Sequence, residues 1–344
     1  MTRNGSDGSA TGAAAMQTDE AILPDGRPVR GITLEGGGLR ARVLTLGAIV
    51  QELRLDGIDH PLVLGSPDIA AYLGEMRYVG AIVGRYANRI GQGRFSLGGE
   101  DFQTDRNFLD RHTLHGGSDG TDCQIWEVRS HRRDRVTLGL SLPDGHMGFP
   151  GHLNLTAQFT LADATLTITL SARSDAATPC SLAHHGYFDL DGGGDIRGHR
   201  LSIAAERYLP VDDDLIPTGE IAAVAGTRFD FRQAREIGPG GYDHNFCLSD
   251  APRTLRPVAR LTGQGGLAMQ VETTACGLQL YDGAHLSGLP GLEGRIYETH
   301  AGVALETQFW PDAPNRPDFP DPILRPGDVF SETTRYRFAR PGRT

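Results

Sequence analysis

Leu166-Thr167-Ile168-Thr169-Leu170 is the stretch whose alternation points to the fold class. In an extended chain neighbouring side chains leave on opposite faces, so this run puts its aliphatic residues on one face and its threonines on the other, as a half-buried strand requires. The habit recurs on both sides of it, in Val43 to Leu55, Val136 to Leu142, Leu153 to Leu161, Ala164 to Ala172, Leu201 to Ala205, Met269 to Tyr281 and Val329 to Phe338. Gly, Pro and Asp bound these runs, and the 46 glycines in 344 residues, about twice average usage, call for many tight turns. The expectation is an all-β chain, a large antiparallel β-sandwich with few short helices, the clearest of them a connector at Pro67 to Met76. Residues 1–16 are small and polar, with too little apolar surface to offset the entropy of ordering them, and are expected to form a disordered tail. No linker composition interrupts residues 20–340, so 17–344 is expected to be one domain.

Composition narrows the function. A formal net charge of −10, with acidic residues spread along the chain, gives no electrostatic footprint for nucleic acid or an anionic membrane. A neutral small molecule is the easier partner. The basic cluster Arg129 to Arg135 lacks interleaved aromatics and reads as a solvated hairpin. Cys123, Cys180, Cys247 and Cys276 form no C-x-x-C pair, so neither a zinc knuckle nor a redox motif is indicated, and reduced thiols in the cytoplasm are the expectation. No run approaches the roughly 18 consecutive apolar residues of a membrane span, and the N-terminus lacks a signal pattern.

Chemistry gathers in a few places. Ala183-His184-His185-Gly186-Tyr187-Phe188-Asp189-Leu190 carries two adjacent histidines. On extended backbone they point to opposite faces, so one is the candidate acid or base and the other packs or faces solvent. Gly84-Arg85-Tyr86-Ala87-Asn88-Arg89-Ile90-Gly91 could raise a hydrogen-bonding wall, and in Leu114-His115-Gly116-Gly117 the glycines let backbone approach a ligand beside an imidazole. Asp243, in Tyr242-Asp243-His244-Asn245-Phe246, could bind vicinal hydroxyls or cap a turn. Glu306 stands in the apolar run Ala304-Leu305-Glu306-Thr307-Gln308, where a carboxylate either alternates to solvent or lines a pocket.

Together these stretches resemble the aldose 1-epimerase family. The matching pieces, in the family's order, are Gly84 to Ile90, Leu114 to Gly117, His185 to Leu190, Pro217-Thr-Gly-Glu-Ile221, Gly226-Thr-Arg-Phe-Asp-Phe-Arg232, Tyr242 to Phe246, Leu305 to Gln308 with Pro311-Asp-Ala313, and Ile323-Leu-Arg-Pro-Gly327. The resemblance implies a galactose mutarotase-like β-supersandwich with an open cleft that interconverts the α and β anomers of a monosaccharide such as galactose or glucose. It implies His185 as proton donor and Glu306 as proton acceptor, with Asn88, Arg89, His115, Tyr187, Phe188, Asp243 and Gln279 at the sugar. Spontaneous mutarotation is already easy, so no metal or organic cofactor is called for, and a monomer or homodimer is expected. If near each other, an imidazolium and a carboxylate should stabilise one another's charged form. Tyr187, Phe188 and Trp310 are each candidates for a flat face under the sugar or for the core.

The chain departs from the family's usual Asn-His-Ser-Tyr-Phe-Asn at His184, Gly186 and Asp189, and has His146 and Met147 where an acidic pair is common. Three other readings compete. A carbohydrate-cleaving enzyme on the same sandwich would need two carboxylates flanking the bond; a sugar-binding protein would keep the cleft without the chemistry; a metal site would draw on His115, His185 and Glu306.

Overall fold

The computed structural model describes residues 18–340, so the expected tail at 1–16 lies outside the described residues. The founding run becomes strand Thr165–Ser174, which pairs antiparallel with Leu153–Ala162 from Leu153 opposite Ser174 to Ala162 opposite Thr165. Leu166, Ile168 and Leu170 are buried on one face, and Thr167 and Thr169 stand half-buried on the other.

This pair sits in a nine-stranded sheet whose order runs Glu127–Arg132, Arg135–Leu142, Leu153–Ala162, Thr165–Ser174, Phe330–Ala339, Ala268–Thr273, Arg256–Thr262, Arg200–Ile203, Arg235–Glu236. The basic cluster is the hairpin at its edge, with Arg132 opposite Arg135. A second, six-stranded sheet runs Tyr187–Phe188, Val303–Gln308, Gly277–Tyr281, Asp243–Cys247, Arg207–Tyr208, Ala222–Ala223. The two sheets share one apolar cluster: Val271, Ile168, Leu170 and Tyr336 meet Leu278, Leu280, Leu305, Phe246 and Phe188 within it. Helix among the described residues occurs only as 3-10 turns of three to five residues, one of them, Ile69–Leu73, inside the expected connector and capped by the Asp68 carboxylate.

Two expected strands are each two. Val43 to Leu55 folds back on itself at Gly47 and Ala48, both at positive φ, so that Leu39–Leu44 and Val50–Leu55 pair as neighbours in an N-terminal four-stranded sheet. Met269 to Tyr281 breaks at Thr274–Cys276, where the Ala275 N–H donates to Thr273 Oγ1. Its first half belongs to the nine-stranded sheet and its second half to the six-stranded sheet. The first break is a fold-back within one sheet, and at the second the chain passes from one sheet to the other through the buried Ala275 and Cys276.

Candidate active site

The six-stranded sheet supplies the floor of the site, and its register decides which residues meet. Asn245 lies opposite Gln279, and Gln279 opposite Glu306; one row along, Asp243 lies opposite Tyr281, Tyr281 opposite Ala304, and Ala304 opposite Tyr187. Side chains in register on one face stand about 4.8 Å apart across neighbouring strands. The alternate residues Phe246, Leu278, Leu280, Leu305 and Phe188 go to the shared core. This corrects the expectation for Phe188. It is fully buried against Tyr336, ring centroids 4.8 Å apart, because the period-two pleat turns it away from the face that Tyr187 uses. Trp310 is likewise a core residue, its indole N–H donating to Cys276 O.

His185 arrives from the adjoining short ribbon, in which Ala183 pairs with Val83 and His184 with Ile82. The His185 N–H donates to Ala81 O and its carbonyl accepts from the Gly80 N–H, so its main chain is held from both sides. The two histidines diverge as extended backbone requires. His184 turns to Tyr336, while His185 stands 5.1 Å from Tyr187 and edge-on to His115 at 5.1 Å, ring to ring.

Asn88, Arg89 and His115 come from a third piece, the two-residue pairing of Arg89–Ile90 with Thr113–Leu114. Asn88 and His115 lock it at one end: the His115 N–H donates to Asn88 O at 2.9 Å, and the Asn88 N–H donates to His115 Nδ1 at 3.1 Å. The turn works only with glycine at 116, whose φ is +87° and where a Cβ would lie 2.0 Å from Gly84 O. Of the two arginines in this loop, Arg89 reaches Asp243. Arg85 is structural, buried and donating to Pro150 O and Gly151 O.

Asp243 ties the pieces together. Its Oδ2 accepts from Arg89 at 3.0 Å and its Oδ1 from Gln279 Nε2 at 2.5 Å, while the Arg89 guanidinium lies over the Phe108 ring at 4.7 Å. Burial works against ionising Asp243, but Arg89 and the Gln279 amide outweigh it and hold the carboxyl below its usual range.

Opposite this clamp, His185 Nε2 and Glu306 Oε1 are 3.6 Å apart, with side chains only 8% and 2% exposed. Burial pushes Glu306 up to about 8, helped by the negative Asp243 and opposed by Arg89. Burial also pushes His185 down to about 4. Mutual stabilisation of the charged forms, expected from the sequence, is thus outweighed by desolvation. The neutral pair and the ion pair nevertheless hold the same number of protons and differ by transfer of one across this gap. Between about pH 4 and about pH 8 the two groups share one proton.

His115, His185 and Glu306 each bring a potential ligand atom within 4.8 Å of the others. Two histidines and a carboxylate are a familiar metal set, but His115 does not fit the role. Its Nδ1 lone pair accepts the Asn88 N–H, so in the neutral ring the proton sits on Nε2, and that nitrogen is a hydrogen-bond donor with no lone pair to offer. Burial, with His185 nearby, holds the His115 pKa well below the usual imidazole range and so keeps the ring neutral.

Several buried polar atoms on this face lack a partner within the protein: Glu306 Oε2, His185 Nδ1, Gln279 Oε1, Asn245 Nδ2 and Gln308 Oε1. Leaving such groups unpaired costs about 1–3 kcal/mol each, so this face can exchange hydrogen bonds with water or a polar ligand. Asn245 and Gln308 were legible from alternation, since they lie two residues from Asp243 and Glu306. Tyr78 carried no such signal. It packs against His115 with ring centroids 4.8 Å apart and parallel to His185 at 6.3 Å, and it comes from a segment with no strand pattern.

Residues 30–337 match the sequence profile of a family described as Aldose 1-epimerase. The chain is 38% identical over 331 residues to a galactose mutarotase of Mus musculus, covering 92% of this chain and 96% of that protein. It is 37% identical over 338 residues to an aldose 1-epimerase of Escherichia coli K12, covering 92% and 97%. Among solved structures, galactose 1-epimerase from Lactobacillus acidophilus NCFM superposes with a TM-score of 0.82 at 31% identity, over 94% of this chain and 99% of that one.

Proposed function

The chain belongs to the aldose 1-epimerase family, and from that premise we infer that it is a mutarotase in which His185 and Glu306 are the acid–base pair. The observation that carries the assignment is the 3.6 Å approach of His185 Nε2 to Glu306 Oε1 on a face whose remaining polar atoms await partners.

The reaction needs one proton delivered to the ring oxygen and one taken from the anomeric hydroxyl. His185, as imidazolium, gives its proton to O5 while Glu306, as carboxylate, takes the proton of the C1 hydroxyl; the C1–O5 bond breaks and the C1–O1 bond becomes the aldehyde carbonyl. C1 turns about C1–C2, O5 attacks the other face, and the protons return. Net charge and proton count of the pair are unchanged, so the single shared proton suffices. General acid–base assistance contributes roughly 10²–10⁴-fold per group.

Asp243 and Arg89 hold other hydroxyls through charge-assisted hydrogen bonds. Gln279 and Asn88 extend that wall, the His115 Nε2–H donates into the cleft, and Tyr187 offers a ring face. The substrate is a free aldose such as galactose or glucose. We place the enzyme in the cytoplasm as one domain, monomeric or homodimeric, in keeping with four free thiols.

Polarimetry of freshly dissolved α-D-galactose and α-D-glucose tests this. The protein should speed equilibration, and a folded His185→Ala variant should lose the acceleration. A wild-type protein that leaves both sugars at their spontaneous rate, while still binding them, would mark a sugar-binding protein instead.

A further inference from the structure

His184 has no part in that chemistry, yet it is fully enclosed by protein on the far side of its strand. Its Nδ1 lies 3.3 Å from the Tyr336 hydroxyl, and the two rings meet edge-on at 5.7 Å. Tyr336 is fully buried in strand Phe330–Ala339 and also packs on Phe188. One phenol from the nine-stranded sheet therefore touches residues 184 and 188, on either side of the pair His185 and Tyr187 that faces the cleft.

The Cε1 edge of the His184 ring lies against Gly186. The φ of Gly186 lies outside the left-handed region, so its backbone makes no demand for glycine. Space does. A Cβ there would lie 2.4 Å from His184 Cε1, 3.0 Å from Nε2 and 3.1 Å from Nδ1. The two departures at 184 and 186 are therefore one steric arrangement, a larger ring at the first position occupying the volume of a β-carbon at the second.

We propose that His184 is a positioning residue for His185: wedged between Tyr336 and the Gly186 backbone, it sets the path of residues 184–187 and hence the direction in which the His185 ring meets Glu306. The proposal rests on the acid–base reading of His185. The hydrogen bonds to Gly80 and Ala81 fix where the His185 main chain lies, and the wedge fixes how the peptide planes on either side are tilted.

The experiment is mutarotation kinetics on Gly186→Ser, His184→Asn, the double variant carrying both, and Tyr336→Phe, each checked for wild-type circular dichroism. Displacement of a reacting group by about 1 Å costs on the order of 100-fold, so Gly186→Ser should lower kcat by roughly 10- to 100-fold with KM within about threefold. His184→Asn alone, which empties the space the ring fills, should also lower kcat, and wild-type kcat there would overturn the proposal. The double variant, whose new β-carbon enters that space, should recover most of both losses. Tyr336→Phe, which keeps the ring and removes the hydroxyl, should lower kcat by a few-fold. A Gly186→Ser protein with wild-type kcat, a double variant no faster than Gly186→Ser, or a loss confined to KM overturns the proposal. Should Gly186→Ser not fold, the double variant and Tyr336→Phe decide: wild-type kcat in Tyr336→Phe, or a double variant that also fails to fold, overturns it. His185→Ala, run alongside, separates the two claims. Full activity in that variant sinks the acid–base reading itself, whereas loss there with independent effects at 184 and 186 sinks the wedge alone.

Discussion

Glu306 and Glu332 are two carboxylates with the same burden and different employment. Both are buried, and burial pushes each up to about 8. They are joined through one residue, because Thr307, which follows Glu306, turns to the opposite face and donates its hydroxyl to Glu332 Oε1 at 3.0 Å. That hydroxyl also lies 2.5 Å from Thr334 Oγ1, which reaches Thr273, so Glu332 stands in a polar knot between the two sheets. Glu306 has His185 at 3.6 Å and one oxygen with no partner, on the face shared with Asp243 and Gln279. A raised carboxyl pKa by itself marks burial. What distinguishes a reacting carboxylate is a proton-exchanging neighbour on the face that meets the ligand.

The largest expected effect breaks the comparison at its centre. Glu306→Gln should lower kcat by roughly 10²–10⁴-fold, while Glu332→Gln, which keeps a hydrogen bond to Thr307, should stay within about threefold of wild type, as substitutions away from the reacting groups do. Polarimetry on both variants checks this, and equal losses would put the two carboxylates in one functional unit.

Next in size is the pH dependence. Only the one-proton state of His185 and Glu306 is competent, so kcat/KM should be bell-shaped with limbs near about 4 and about 8. It should fall about tenfold per pH unit beyond each limb. Glu332→Gln should leave both limbs in place; a shift of the alkaline limb would show that Glu332 titrates in the reaction.

The smallest effect is on stability. A carboxyl whose folded pKa is raised above its unfolded value, from 4.5 to about 8 for Glu332, stabilises the fold fully below the unfolded pKa and loses that contribution as pH rises through the folded one. Buried histidines held below their usual range slope the other way, so the readout is the difference: the Tm of Glu332→Gln relative to wild type should rise between about pH 5 and pH 8. Thermal melts across this range read it directly, and a constant difference would mean that Glu332 stays ionised.

Much of this was legible beforehand. The alternation at Leu166 to Leu170 gave a strand with its correct buried face, and the His184-His185 pair divided between two faces as extended backbone requires. The motifs around Asn88, His115, Asp243 and Glu306 supplied residues that meet in one buried polar cluster. Phe188 was misplaced and Trp310 left open for one reason: aromatic chemistry suits a sugar face and a core equally well, and only packing chooses. The strand break at Gly47–Ala48 was hidden because apolar residues continue on both sides of it.

The sequence by itself determined which residues share a face, since a pleat of period two leaves no choice once a segment is extended. It could not say which face of the six-stranded sheet would be the cleft. Strand Val303–Gln308 is buried along its whole length, so neither side carries the polar marking of solvent. That decision came from the tertiary structure. The nine-stranded sheet covers one side with Tyr336 and its apolar neighbours, and the ribbon bearing Asn88, Arg89 and His115 stands over the other. Such contacts join residues far apart in the chain, Arg89 with Asp243 at 154 positions and His184 with Tyr336 at 152, and their pairing is settled by shape and hydrogen-bond completion, which no local pattern encodes.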